Sequence, residues 1–390
     1  MTTKPLQIRG ADVSMTAEVE ALGGWFSDAA GARDLFRILA DHGVNLARLR
    51  VWVDPTDEQG RPYQGGTNDL ATTLRLAERA RDAGLGLMID LHYSDFWADP
   101  KKQSLPRSWE GLDLDGVCEA VGAHTADVVA AVRSNAGSPE WVQVGNETTN
   151  GMLWPLGRTP RYDLERRAFE PVPADEAREQ YNRLARLLQA GSSAVRAADT
   201  RSRIVLHLDA GGAADLYRRW FDEITMRGVD FDAVGLSYYP LWHGSLSDLS
   251  VNLHQLVERY EKDVIVVETA YAHRPDNPGG TSMFDATSPA AVYPASVAGQ
   301  ARYLDDLAGI VRDVPGGRGL GIVYWEPAWL PVPGTSWASA AGMAYGNDMA
   351  EPGNGWANQT LFDERGCALD SLRALGATAG RPDPMGEEDA

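Results

Sequence analysis

Cysteine is almost missing from this chain: 390 residues include two, Cys118 and Cys367. Two thiols cannot build a disulfide framework, and Cys118 falls in a helical pattern beside Val117 and Val121, so both read as reduced and structural. Positive charge is also scarce, 36 Lys and Arg against 55 Asp and Glu, for a formal net charge of −19. Such a field repels phosphate backbones and anionic lipid, which argues against nucleic acid and membrane partners and for a neutral or cationic ligand. No window reaches the roughly 18 apolar residues of a membrane span. The start, Met1-Thr2-Thr3-Lys4-Pro5-Leu6, lacks an apolar stretch of signal-peptide length. As given the chain reads as cytoplasmic, or as secreted if a leader has been removed, and as a monomer. Other chemistries lack their motifs: there is no His-Glu-x-x-His or paired-Cys zinc pattern, no GxSxG elbow and no GxGxxG loop. The Gly211-Gly212 pair is read as a plain turn.

What is present is a repeat of strand and helix. An apolar share of 44% and a charged share of 23% suit a globular protein with a substantial core. Strand-like runs span Leu6 to Ser14, Val44 to Val53, Leu85 to Tyr93, Trp141 to Glu147, Arg203 to Asp209, Phe231 to Tyr239, Asp263 to Thr269 and Leu320 to Trp325. Between them apolar residues recur at helical spacing, as in Leu70, Leu74 and Ala77 or Leu184, Leu187 and Leu188. Eight such alternations predict an α/β fold, a single (β/α)8 barrel, which takes roughly 250 residues plus insertions. Connections from helix to strand are short, whereas those from strand to helix are long at Thr148 to Pro173, Ala270 to Ala295 and Glu326 to about Gly366. Long loops inside a compact domain are usually functional, so the working face is the one at the strand C-termini. Residues 1–372 are expected to form the barrel and 373–390 a disordered tail poor in residues to bury.

Two of those runs, Trp141-Val142-Gln143-Val144-Gly145-Asn146-Glu147 and Val264-Ile265-Val266-Val267-Glu268, stop abruptly at a glutamate. An unpaired buried charge costs about 3 to 5 kcal/mol, so these carboxylates are expected to serve chemistry at the barrel mouth. A pair placed that way suggests cleavage of a glycosidic bond. Alternation sends Arg48, Arg50 and Trp52 to one side of the second strand and Asp90 and His92 to one side of the third. Arg50, Asp90 and His92 are read as site residues, with Arg50 expected near Glu268, and the deeper Arg48 as a structural ion-pair partner. Asn146 is placed to hold a sugar 2-hydroxyl beside the acid. Glu326 ends the eighth strand and is either a rival carboxylate or a buried partner for a loop. Nine of twelve tryptophans lie at or beyond strand ends: Trp52, Trp97, Trp109, Trp154, Trp242, Trp325, Trp329, Trp337 and Trp356. Half are expected to stack on sugar rings and half to pack loops. The Asp/Asn-rich patch from Asp276 to Asp285 could offer calcium hard oxygen ligands, although a solvated loop is the simpler reading.

The chain resembles glycoside hydrolase family 53, the arabinogalactan endo-β-1,4-galactanases. The resemblance rests on Arg9-Gly-Ala-Asp-Val-Ser14, Gly43 to Pro55, Asp90 to Pro100 with Gln103 and Trp109, and Gln143 to Glu147 with Gly151 to Trp154. It continues through Gly235 to Pro240, Glu268 to Tyr271, Tyr324 to Trp329 and Asn358 to Asp363, covering about residues 7 to 372. It implies a retaining hydrolase with Glu147 as acid/base, Glu268 as nucleophile and Asn146 as the 2-hydroxyl partner. Trp97, Tyr239 and Trp325 join Arg50, Asp90, His92 and Asn146 as expected substrate contacts. No cofactor is implied; bacterial members often carry calcium near the loop after strand seven, but Arg274 to Pro294 differs in detail. The implied substrate is the galactan of type I arabinogalactan. Another β-1,4-glycan, such as mannan or glucan, is the alternative within the class, and a catalytically silent sugar-binding barrel the alternative outside it.

Overall fold

The computed structural model describes residues 5–376. All eight expected runs are strands: β1 Ile8–Asp12, β2 Leu46–Val51, β3 Gly86–Leu91, β4 Trp141–Val144, β5 Arg203–Leu208, β6 Ala233–Ser237, β7 Asp263–Thr269 and β8 Gly319–Trp325. They are parallel and close on themselves, β1 pairing with both β2 and β8. The barrel helices are α1 Leu35–Asp41, α2 Leu70–Asp82, α3 Leu114–Ala136, α4 Ala174–Ala198, α5 Ala214–Met226, α6 Leu246–Tyr260, α7 Val297–Arg312 and α8 Asp370–Gly376. Several begin where the sequence supplies an oxygen cap. Asp34, Asp69, Asp113 and Ser296 each accept from a first-turn N–H, and Ser245 with Asp248 forms a capping box. Among the described residues no helix is long and apolar enough to cross a membrane.

Strand alternation divides the apolar residues into two cores. Side chains facing outward, such as Leu49, Ile89, Val142 and Leu206, pack under the helices, and each fully buried one contributes about 1.5 to 3 kcal/mol. Facing inward, Ile8, Leu46, Met88, Trp141, Val205 and Ile265 fill the lower barrel. Two residues further along β2, β3, β4 and β5 the inward positions turn polar: Arg48, Asp90, Gln143 and His207 occupy the next layer up, all fully buried. The polar layer therefore sits directly beneath the C-terminal mouth. There the long loops stand, after β4 from Gly145 to Pro173, after β7 from Ala270 to Ser296 and after β8 from Glu326 to Leu369.

The last helix runs to Gly376 with Leu375 buried, so the barrel extends four residues past the expected boundary at 372. An apolar pair, Leu372 and Leu375, still has a groove to fill; the rest of the expected tail, 377–390, lies outside the described residues. Both cysteines are free and half-buried.

Candidate active site

The mouth is organised around Arg48. Its side chain is wholly enclosed, with Nη1 2.8 Å from Asp12 and 2.9 Å from Glu268, and Nη2 2.9 Å from Asp90. Nη2 also donates to Gln143 Oε1 at 3.1 Å and Asn146 Oδ1 at 3.0 Å. Burial opposes the guanidinium charge, but Asp90, Glu268 and Asp12 outweigh it and raise its pKa above the ordinary arginine value. Arg50, one layer higher, pairs instead with Asp12 at 3.1 Å and Glu326 at 2.7 Å. Arg50 was expected beside Glu268; the structure gives that place to Arg48. The reason is reach: from β2 the shorter path of Arg50 leads over β1 to the end of β8, while Arg48 lies lower and crosses the lumen to β7.

Glu268 comes into the mouth through an irregularity. On β7 Val266 pairs with Leu236, and the next partner, Ser237, meets Glu268, so Val267 is an extra residue in the ladder. Such a bulge re-aims the following side chain, and without it Glu268 would face the helices like Val266. Its Oε1 is held by Arg48 and its Oε2 accepts from the Tyr239 hydroxyl at 3.1 Å. Glu147 is delivered by a different device. Gly145 at φ 82° turns the chain, and Glu147 itself is held at φ 46°, ψ 52°, a left-handed conformation that costs about 1 to 2 kcal/mol for a residue with a Cβ. Ser237 Oγ donates to Glu147 Oε1 at 2.6 Å. Glu326 is fully buried under Arg50 and accepts from the Met15 N–H at 3.2 Å, so it is the loop partner rather than a rival.

The two glutamates share the mouth but differ in surroundings. Burial pushes Glu147 well above the ordinary glutamate value, and the charges of Glu268 and Asp209 push it further. Burial raises Glu268 as well, but Arg48 pulls it back. Both are raised, Glu147 further than Glu268, so their surroundings set the two carboxyls apart. A stability test follows. In the unfolded chain Glu147 ionises near pH 4.3, whereas the fold keeps its proton to higher pH, so native stability falls as pH rises from the unfolded value through the folded one. Glu147→Gln removes that penalty. It should melt above the parent protein at pH 7, with the gap closing at about pH 4 and below; equal melting curves at pH 7 would show that the carboxyl is not held protonated.

The expected sugar contacts divide by depth. Asp90 is fully buried, accepting from Arg48, Gln143 and His92. His92 Nε2 donates to Asp90 at 2.9 Å and Nδ1 accepts from the Ala98 N–H at 3.2 Å. Arg50 is enclosed, its guanidinium 4.7 Å from the Trp97 ring centre and 5.6 Å from that of Trp325. Asn146 Oδ1 is taken up inside, but among the described residues Nδ2 gives only one of its two hydrogens, to Ala98 O at 2.8 Å. Trp97, Trp325 and Tyr239 lie nearer the opening, with Trp97 and Trp325 half-buried 6.1 Å apart. Of the nine strand-end tryptophans, Trp52, Trp109, Trp329 and Trp356 are buried, while Trp97, Trp154, Trp325 and Trp337 are half-buried and Trp242 is exposed. Asp12, Gln143, His207 and Ser237 were not singled out from the sequence. Strand alternation was the available signal, since each is an inward polar residue two positions along from an inward small or apolar one.

In the stretch considered for calcium the two aspartates have protein partners. Asp276 pairs with Arg274 at 2.6 Å and Asp285 accepts from Thr287. Among the described residues no group of three or more His, Cys, Asp or Glu is placed to hold a metal.

A parallel barrel whose fourth and seventh strands deliver two unequal glutamates to an aromatic mouth defines a glycoside hydrolase. Comparison with known proteins narrows the class. The sequence pattern of glycosyl hydrolase family 53 matches residues 8–375, and the chain belongs to that family. It is 33% identical over 388 residues to an endo-beta-1,4-galactanase of Bacillus subtilis (strain 168), covering 94% of this chain and 85% of that protein. The Ignisphaera aggregans GH53 catalytic domain superposes with a TM-score of 0.83 at 39% identity, covering 95% of each chain. A solved fungal beta-1,4-galactanase follows at 0.75 and 30%, covering 95% of this chain and 99% of that one.

Proposed function

We propose that this enzyme hydrolyses internal β-1,4-galactosidic bonds in the galactan of type I arabinogalactan, with retention of configuration and as a monomer. The observation that carries the mechanism is the opposed setting of the two glutamates: Arg48 and Tyr239 hold Glu268 by both oxygens, and among the described residues no cation pairs with Glu147. Glu268 attacks the anomeric carbon as the Glu147 proton passes to the departing oxygen, leaving a glycosyl-enzyme ester and a Glu147 carboxylate. Glu147 then takes a proton from water, whose oxygen displaces Glu268. Asn146 Nδ2 has a hydrogen left for the 2-hydroxyl, and Trp97 and Trp325 offer faces to the sugar ring. No cofactor takes part in these steps. The substrate is supported by the galactanase names of the relatives, and internal cleavage by the long loops that bound the mouth.

The test is a panel of galactan, arabinogalactan, mannan, xylan and cellulose read by reducing-sugar release and viscosity. Galactan should be cut best, with viscosity falling ahead of reducing ends and the β-anomer appearing first by proton NMR. Preference for mannan or cellulose would overturn the substrate, a lagging viscosity the internal cleavage, and an α-anomer the retention.

A further inference from the structure

Among the described residues the Glu147 side chain has one hydrogen-bond donor, and that donor is itself controlled. Ser237 Oγ lies 2.6 Å from Glu147 Oε1 and 2.9 Å from His207 Nε2. The three residues come from the ends of β4, β5 and β6, and His207 and Ser237 are fully buried. His207 Nδ1 has three neighbours: the Glu147 backbone N–H at 3.3 Å, Gln143 Nε2 at 3.1 Å and Asn146 Oδ1 at 3.0 Å. A backbone N–H cannot turn away, and Asn146 Oδ1 already accepts from Arg48 and Gln143. Nδ1 therefore accepts, and the imidazole proton sits on Nε2, aimed at Ser237. Burial, with Arg48, His92 and His243 nearby, keeps His207 from taking a second proton. Ser237 Oγ, accepting from the ring, must turn its own hydrogen to Glu147 Oε1.

We infer that His207 and Ser237 are positioning residues that confine the acid proton of Glu147 to Oε2, the oxygen with no protein partner among the described residues. With the opposite tautomer the serine would donate to the ring, and the acid proton would be trapped on Oε1 against Ser237. As built, the proton leaves from Oε2 to the glycosidic oxygen as its bond to carbon breaks, and the new carboxylate already faces the Ser237 hydroxyl. A hydrogen bond to the charged form is the stronger one, so the pair favours the product of proton transfer. The serine keeps its proton throughout. Glu147 is otherwise faced by carboxyls: Glu268 from β7, Asp209 after β5 and Asp99 after β3.

The inference rests on Glu147 being the acid/base, and Ser237→Ala tests it. Without the donor the Glu147 carboxylate loses support, so the alkaline limb of kcat/KM on galactan should move to higher pH, with activity on the plateau falling roughly ten- to a hundredfold. Glycosylation by a dinitrophenyl β-galactobioside, which needs no acid, should keep its rate in a pre-steady-state burst. Ser237→Cys keeps the packing with a weaker donor; it should shift the limb the same way by less, and it carries the test should the alanine variant not fold. An unmoved limb, or an equal loss on both substrates, would reduce the pair to packing. Glu147→Ala run alongside separates the failures: if it keeps galactan activity the acid/base reading falls, and if it is inactive while the Ser237 limb stays put, only this inference falls.

Discussion

Glu268→Ala is expected to abolish galactan hydrolysis, with a loss of at least about 10⁴, because no other carboxylate in the mouth can replace the nucleophile. Glu326 is bound by Arg50 and Met15, and Asp12 and Asp90 lie fully buried in the arginine network. Glu147→Ala should cost roughly 10² to 10⁴ on the polymer, and the two variants should differ in kind. With an activated aryl galactoside, Glu147→Ala still forms the glycosyl-enzyme, and azide should release it as the β-galactosyl azide. Glu268→Ala with azide should give the α-azide, since the small anion then displaces the leaving group directly. Near-normal turnover of galactan by either variant would overturn the assignment, and a β-azide from Glu268→Ala would exchange the two roles.

The placement of those two glutamates at the mouth was legible because each ends an apolar β-branched run in a carboxylate, a pattern with no packing explanation. The eight strands were legible for the same reason, since period and punctuation are local. Less could be read about where a charge goes once it leaves its strand. Arg48 and Arg50 share a face of β2, and alternation cannot say which of them reaches β7; that depends on the stagger of the closed barrel and on Glu326 standing ready at β8. The bulge at Val267 is equally silent in sequence, because an extra valine among valines leaves no mark. His207 and Ser237 were passed over as single polar residues in greasy strands. Their meaning comes from three strand ends meeting, which no one segment contains. Asp90 and His92 were read as inward, and both are buried in the lumen. Depth in the lumen is set by register between strands, not by the order of residues along one.

The heaviest structural consequence is expected from Arg48→Met, which keeps length and removes the charge. Asp12, Asp90 and Glu268 each lose a partner within 3 Å, although Arg50 remains for Asp12. Breaking a buried ion pair by deleting one side costs about 3 to 5 kcal/mol, or roughly 4 to 6 °C in Tm for a domain of this size. The sign with pH follows from the carboxylates. Deprived of Arg48, Glu268 rises further above its ordinary value, so the folded protein holds protons that the unfolded chain releases. The variant should therefore lie closest to the parent protein near pH 4 and furthest below it at pH 7, as read by thermal melts at both. Activity should report the same shift: less Glu268 is ionised at a given pH, and the acid limb of kcat/KM moves upward. Arg48→Lys restores one charge without the fork that serves three carboxylates, and should recover only part of both effects. A melting loss that is the same at pH 4 and pH 7, with an unmoved acid limb, would mean that Arg48 acts through volume alone and that Glu268 is kept ionised by something else.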